Sequence, residues 1–158
     1  NTRLVGSEMC IRDRSKLLGE LDNENIITIR KSVIGHELDS KKGLLEWFLN
    51  NEGIVEGYKE AIFSGLTVLE LARIIDMYIL PNKDIKGIIH LSGDPISKYD
   101  LLKIIANQYN KIIKIEPKED IKIDRSLNSE HFKNLTGYKS EPWPLLVKSM
   151  KEFNLLNL

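Results

Sequence analysis

The 158-residue chain is about one domain long and large enough to bury a real core. Its 23 basic and 23 acidic residues cancel, so composition gives no general attraction to nucleic acid or to anionic lipid. The longest apolar runs, IIDMYIL and GIIHL, are far too short to span a bilayer, and the start lacks the basic end and apolar stretch of a signal peptide. A single cysteine, Cys10, makes an internal disulfide impossible and leans toward a reducing compartment. The expectation is a soluble, cytoplasmic α/β protein with neither a nucleic-acid nor a membrane partner.

Leu4 to Arg14 (LVGSEMCIRDR) has no helical or strand period. From Ser15 the text becomes regular. Ser15 to Asp22 reads as the end of a helix, with Leu17, Leu18 and Leu21 at helical spacing, and Ile26 to Arg30 as a short buried strand. Lys42 to Asn51 is an amphipathic helix that Gly53 stops. Thr67 opens a capping box with Glu70, followed by an apolar face of Leu71, Ala72, Ile75 and Ile79 that ends at Pro81-Asn82. Gly87 to Leu91 is a second buried strand, and Ser92 to Pro95 a turn. Ser97 caps a further helix, SKYDLLKIIANQY. Lys111 to Glu116 alternates as a third strand and Ile121 to Asp124 as a fourth, before two short helices around Glu130 to Leu135 and Pro144 to Phe153. Strands alternating with helices favour a mostly parallel sheet with helical crossovers. There is no internal repeat or low-complexity segment.

Neither GxGxxG nor GxxxxGK[ST] occurs, so the chain carries no glycine-rich phosphate loop. HExxH and CxxC are also absent, and His36, His90 and His131 lie far apart, so no metal site is expected.

The ordered segments RSKLLGE, ITIRKSVIGHEL, GLLEWFL, GYKEAIFSGLTVLELARII, GIIHLSGDPISKYDLLKIIA and DRSLNSEHFKNLTGY resemble, in order and spacing, the C-terminal part of a known family. It is that of extended short-chain dehydrogenases/reductases acting on nucleotide sugars, the dTDP-4-dehydrorhamnose reductase-like group in particular. The resemblance runs from Ser15 to about Phe153. It implies an α/β fold made of the C-terminal part of an NAD(P)-binding Rossmann-type domain: late parallel strands and a small substrate-binding lobe, without the N-terminal dinucleotide-binding half.

That family opens a helix with Tyr-x-x-x-Lys, and Lys16 matches the lysine. The tyrosine should stand at position 12 and a glycine at 13, where this chain has Arg12 and Asp13. Leu4 to Asp13 is moreover what CTC GTG GGC TCG GAG ATG TGT ATA AGA GAC encodes, a match to the transposon-end adapter of sequencing libraries. Residues 1–14 are therefore expected to be an adapter-derived extension and 15–158 the native sequence. Cys10 then says nothing about compartment.

The resemblance implies roles for particular residues. Lys16 would be catalytic, lowering the pKa of a tyrosine proton donor one turn away, and would also bond the nicotinamide ribose. Ser32, in Lys31-Ser32-Val33, would pass the nicotinamide of an NAD or NADP cofactor; its alternative is a turn-forming serine. His36 and Ser64 are candidates for the sugar site. Arg125 in DRSLNS matches a late arginine that reaches the nucleotide's pyrophosphate, since a guanidinium meets phosphate through two parallel hydrogen bonds. A surface salt bridge with Asp124 is the competing reading. Trp47 and Trp143 read as core or interface aromatics.

The implied parent is an NAD(P)-dependent reductase of a nucleotide-linked 4-keto deoxysugar in surface-polysaccharide synthesis, a homodimer in its intact form. This chain would itself be inactive. The alternatives are a nucleotide-sugar epimerase fragment, or a non-catalytic binding module with the same fold. A 4,6-dehydratase would carry different substrate-loop motifs.

Overall fold

A computed structural model describes residues 14–21, 23, 25–39 and 42–156. Cys10, Arg12 and Asp13 lie outside the described residues, as do Asp22, Ser40 and Lys41.

Residues 14–18 are helical (α1). A bidentate pair joins the segment after α1 to β1 (Ile27–Lys31): Arg30 Nε donates to Glu20 Oε1 at 2.8 Å and Nη2 to Oε2 at 2.6 Å. The pair holds the Glu20 carboxyl below its ordinary pKa and raises that of the guanidinium. β2 (Val33–Ile34) follows at once, then α2 (Leu44–Asn50), β3 (Ile54–Tyr58), β4 (Ala61–Phe63) and β5 (Leu66–Thr67). α3 (Val68–Ile74) runs into a π-helical turn, Ile75–Ile79, closed by the Leu80 N–H bonding the Ile75 carbonyl at 2.9 Å. Then come β6 (Gly87–Leu91), β7 (Ile96–Ser97), α4 (Lys98–Gln108), β8 (Lys114–Lys118), β9 (Ile123–Arg125), α5 (Glu130–Thr136) and α6 (Trp143–Leu156).

The strands read at Ile26–Arg30 and Gly87–Leu91 are parallel neighbours: β1 and β6 pair from Ile27 opposite Gly87 to Lys31 opposite Leu91. β2 pairs parallel with β5, and β3 with β8. β4 lies between antiparallel β7 and parallel β9. Among the described residues the β1–β6 pair gains no third strand, and Leu17, Leu18 and Leu21 beside it are exposed.

Three expectations need correction. The strand placed at Lys111 begins instead at Lys114, because Asn110 in the left-handed region (φ 53) ends α4 and the Lys111 N–H returns to the Ala106 carbonyl at 2.9 Å. Its partner β3 was not read from the sequence at all. At Thr67 only half of a capping box forms. The hydroxyl accepts the Glu70 N–H at 3.3 Å, but the buried Glu70 carboxylate turns to Arg73 Nε and Nη2, both at 2.9 Å, and to the Tyr138 hydroxyl at 2.8 Å.

Two apolar clusters hold the elements. One gathers Phe48, Leu101, Leu102, Ile105 and Val147 from α2, α4 and α6. The other gathers Leu66, Ile74, Ile89, Leu91 and Phe132 around β5, β6, α3 and α5. α4 is fixed at its start by Ser97, whose hydroxyl accepts the Asp100 N–H at 3.0 Å and donates to Asp100 Oδ2 at 2.6 Å. Ser97→Ala is expected to cost about 1 kcal/mol by urea unfolding, and Ser97→Gly only a few tenths. Equal costs for the two would show that the hydroxyl does not act as a cap.

Candidate functional site

A cleft of about 400 Å³ opens beside β4 and β9, with Leu44 and Leu101 of the first cluster in its wall. Ser32, Tyr58, Phe63, Lys98, Ile123 and Arg125 also line it. Its size and mainly apolar lining, with a few polar and charged groups, suit a small-molecule site. Parallel pairing sets Arg125 directly opposite Phe63. Phe63 in turn packs against the buried Trp143, ring centroids 5.7 Å apart, and the Trp143 indole N–H donates to the Asp94 carbonyl at 2.8 Å. Trp143 is thus a core residue, as read.

The cleft brings Ser32 and Arg125 together. Ser32 is held by its backbone, its carbonyl accepting the Leu66 N–H at 2.9 Å. That approach needs Gly65: a Cβ there would lie 2.6 Å from the Ser32 carbonyl oxygen and collide with the Phe63 ring. Arg125 is exposed and forms no ion pair with Asp124; the Asp124 carboxylate instead accepts the Ser126 N–H at 2.8 Å. The Ser126 hydroxyl first, and its N–H second, hold the Asp124 pKa below its ordinary value.

The other expected site residues sit elsewhere. Lys16 is exposed on α1 and does not line the cleft. Ser64 is fully buried and accepts the Leu127 N–H at 2.8 Å, which ties down the chain two residues beyond Arg125. His36 is half-buried in a clasp: Nδ1 lies 2.6 Å from Glu46 Oε1 and Nε2 2.8 Å from the Tyr109 hydroxyl. Burial first, and the Glu46 charge second, push the Tyr109 phenol up to about 12.

Lys98 is the cleft residue that the sequence reading missed. Its ammonium sits 5.4 Å from the ring centroid of Trp47 and 5.5 Å from that of Tyr58, and burial lowers its pKa. Trp47, read as a core or interface aromatic, is partly exposed. Among the described residues no group of three or more His, Cys, Asp or Glu could hold a metal ion, and no helix is long and apolar enough to cross a membrane.

Parallel strand pairs followed by helices, with β3, β4 and β7–β9 around the cleft, form an α/β fold of Rossmann type. The dTDP-4-dehydrorhamnose reductase of Bacillus anthracis str. Ames, solved with NADP, shares it at TM-score 0.62 and 15% identity, over 82% of this chain and 48% of that one. The UDP-N-acetylglucosamine 4-epimerase of Bacillus cereus matches at 0.63 and 14%, over 81% and 47%. The dTDP-glucose 4,6-dehydratase of Bacillus anthracis str. Ames, solved with NAD, matches at 0.58 and 15%, over 83% and 45%. The chain thus spans about half the length of these solved structures. No family model matches the chain, and no curated protein matches it by sequence.

Two measurements test this geometry. Ser64→Ala should lower stability by about 1–3 kcal/mol, because the Leu127 N–H loses its acceptor; an unchanged urea midpoint would remove Ser64 from the framework. The raised Tyr109 pKa means that folding favours the neutral phenol. The associated stability is complete below about 10 and is lost as pH rises toward about 12. Tyr109→Phe should therefore flatten the decline of the unfolding midpoint across that window, and an identical decline in both proteins would contradict the clasp.

Proposed function

We propose that the native part of this chain, from Ser15 onward, is the substrate-side portion of an NAD(P)-dependent reductase acting on a nucleotide-linked 4-keto deoxysugar, preceded by an adapter-derived extension. The observation that carries this reading is the shared cleft. Ser32 and Arg125, expected on the cofactor side and the substrate side, lie 93 positions apart in sequence and line the same cleft.

The residues present suit only the nicotinamide end of a dinucleotide. Ser32 opens on the cleft and Lys16 is exposed on α1, while no glycine-rich loop for the pyrophosphate occurs in the sequence. The bound cofactor would supply hydride. Lys16 would hold its positive charge near a tyrosine one turn earlier and favour the phenolate. Arg125 would take the diphosphate through paired N–H donors, and Phe63 and Ile123 would exclude water from the sugar. Arg12 cannot donate and recover a proton near neutral pH, because a guanidinium stays protonated.

The test compares this chain with the full gene recovered from unfused reads, following NAD(P)H oxidation with 4-keto deoxysugar nucleotides. The full-length protein should turn over, and Lys16→Met should cost about 10²–10⁴ in rate. The short chain should show no turnover. A full-length protein inactive on every such sugar, or indifferent to Lys16→Met, would overturn the reading.

A further inference from the structure

We propose that Lys98 is a second anion-binding cation of the cleft, acting with Arg125 on the diphosphate of a nucleotide ligand, and that Trp47 and Tyr58 are positioning residues that aim it. This inference rests on the nucleotide-sugar reading and names a contact which that reading does not require.

Lys98 is the first residue of α4, so its backbone is set by the reciprocal Ser97–Asp100 bonds. From there the side chain enters the cleft and places its ammonium against two rings. A cation over an aromatic face gains about 0.5–2 kcal/mol, but the ring carries no net charge and neutralises nothing. Other lysines of the same lobe are paired with carboxylates. Lys59 meets Glu119, Lys114 meets Glu116, Lys118 meets Glu56 and Lys122 meets Glu60.

Neither cation that lines the cleft has such a partner among the described residues. Lys98 is moreover half-buried, and burial penalises its charge. Two unneutralised cations from different elements thus face one space walled by Phe63, Leu101 and Ile123. An apolar wall strengthens the field of the half-buried Lys98 by lowering the local dielectric. A ligand with two adjacent anionic groups and a flat apolar body satisfies every side of this space. A nucleoside diphosphate has that chemistry, and a single carboxylate does not.

Calorimetric titration of this chain with thymidine diphosphate, uridine diphosphate and free thymidine tests the proposal. The diphosphates should bind at least about tenfold more tightly than the nucleoside, the gain expected of one charge-assisted contact. Lys98→Met should remove about tenfold from diphosphate affinity, leave the nucleoside unaffected and keep the urea midpoint. Lys98→Arg should restore most of the loss. Trp47→Leu should weaken the diphosphates selectively, which mere loosening of the fold would not do. Equal diphosphate affinity in the parent chain and Lys98→Met would overturn the role of Lys98 and leave the nucleotide-sugar reading standing. Failure of this chain to bind either diphosphate would overturn both.

Discussion

The close approach of residue 65 to the Ser32 carbonyl is the constraint on which the cleft depends. It is possible only because Gly65 has no side chain, and it lets the Leu66 N–H reach that oxygen. Three consecutive residues then perform three tasks. Phe63 lines the cleft beside Arg125, Ser64 anchors the Leu127 N–H, and Gly65 leaves room for the Leu66 N–H to reach Ser32. The Ser64 carbonyl also receives the Gly93 N–H at 2.9 Å, bringing in the loop after β6. A further knot, with the Ser92 hydroxyl 2.8 Å from that of Ser129 and donating to the Leu127 carbonyl at 2.9 Å, fixes the same downstream loop. Arg125 is exposed, yet its strand pairs with β4 and the loop after it is tied down at Leu127.

Much of this order was legible in the sequence where local chemistry and tertiary packing agree. Ile26–Arg30 and Gly87–Leu91 are β-branched runs that the fold uses as strands with a shift of at most one residue, and Ser97 and Thr67 cap the helices they were expected to cap. The reading failed where packing overrode pattern. Residues 111–113 alternate like a strand, but Ile112 is fully exposed, because the left-handed turn at Asn110 keeps the chain in the cap of α4. β3 left little pattern because IVEGY puts a glycine at a buried position and Ile54 at an exposed one, which breaks the alternation of apolar and polar residues. Gly57 is required there, since a Cβ would lie 2.7 Å from the Tyr99 ring and 2.8 Å from the Ile115 side chain.

The site was legible in a different measure. Ser32 and Arg125 could be picked out because each stands in a segment whose likeness to a known family was visible before folding. Their meeting could not be read, since it depends on β4 and β9 pairing in parallel across some sixty residues of chain. Ser64 and His36, which the resemblance makes candidates for the sugar site, each hold hydrogen bonds within the scaffold that only the fold reveals. Lys98 left no signal, because a lysine just after a serine cap normally extends into water. Only the neighbouring rings of Trp47 and Tyr58, brought in from α2 and β3, hold it at the cleft.

The distribution of apolar surface argues the same division of labour. The cluster around Phe48, Leu101 and Val147 supports the cleft from beneath, since Leu101 belongs to both, and α4 is anchored there by its buried face while its first residue faces the ligand space. The cluster around Ile74, Ile89 and Phe132 supports β6, and through it β1 and the segment pinned by Glu20 and Arg30. Neither cluster covers Leu17 and Leu18 on α1, beside the two-stranded β1–β6 pair. Buried contacts are thus dense where the lobe shapes a binding space. They are sparse where Lys16 stands, so the position of that lysine is set by one turn of helix and the Glu20–Arg30 pair instead of by a core. The proposed role, in which Lys16 would hold a tyrosine and a ribose within hydrogen-bond reach, would need a firmer seat than this, because a misplacement of about 1 Å can cost about 10²-fold in rate. Packing of further structure against Leu17 and Leu18 would supply that seat, which ties the exposed leucines and the proposed role of Lys16 to one physical requirement.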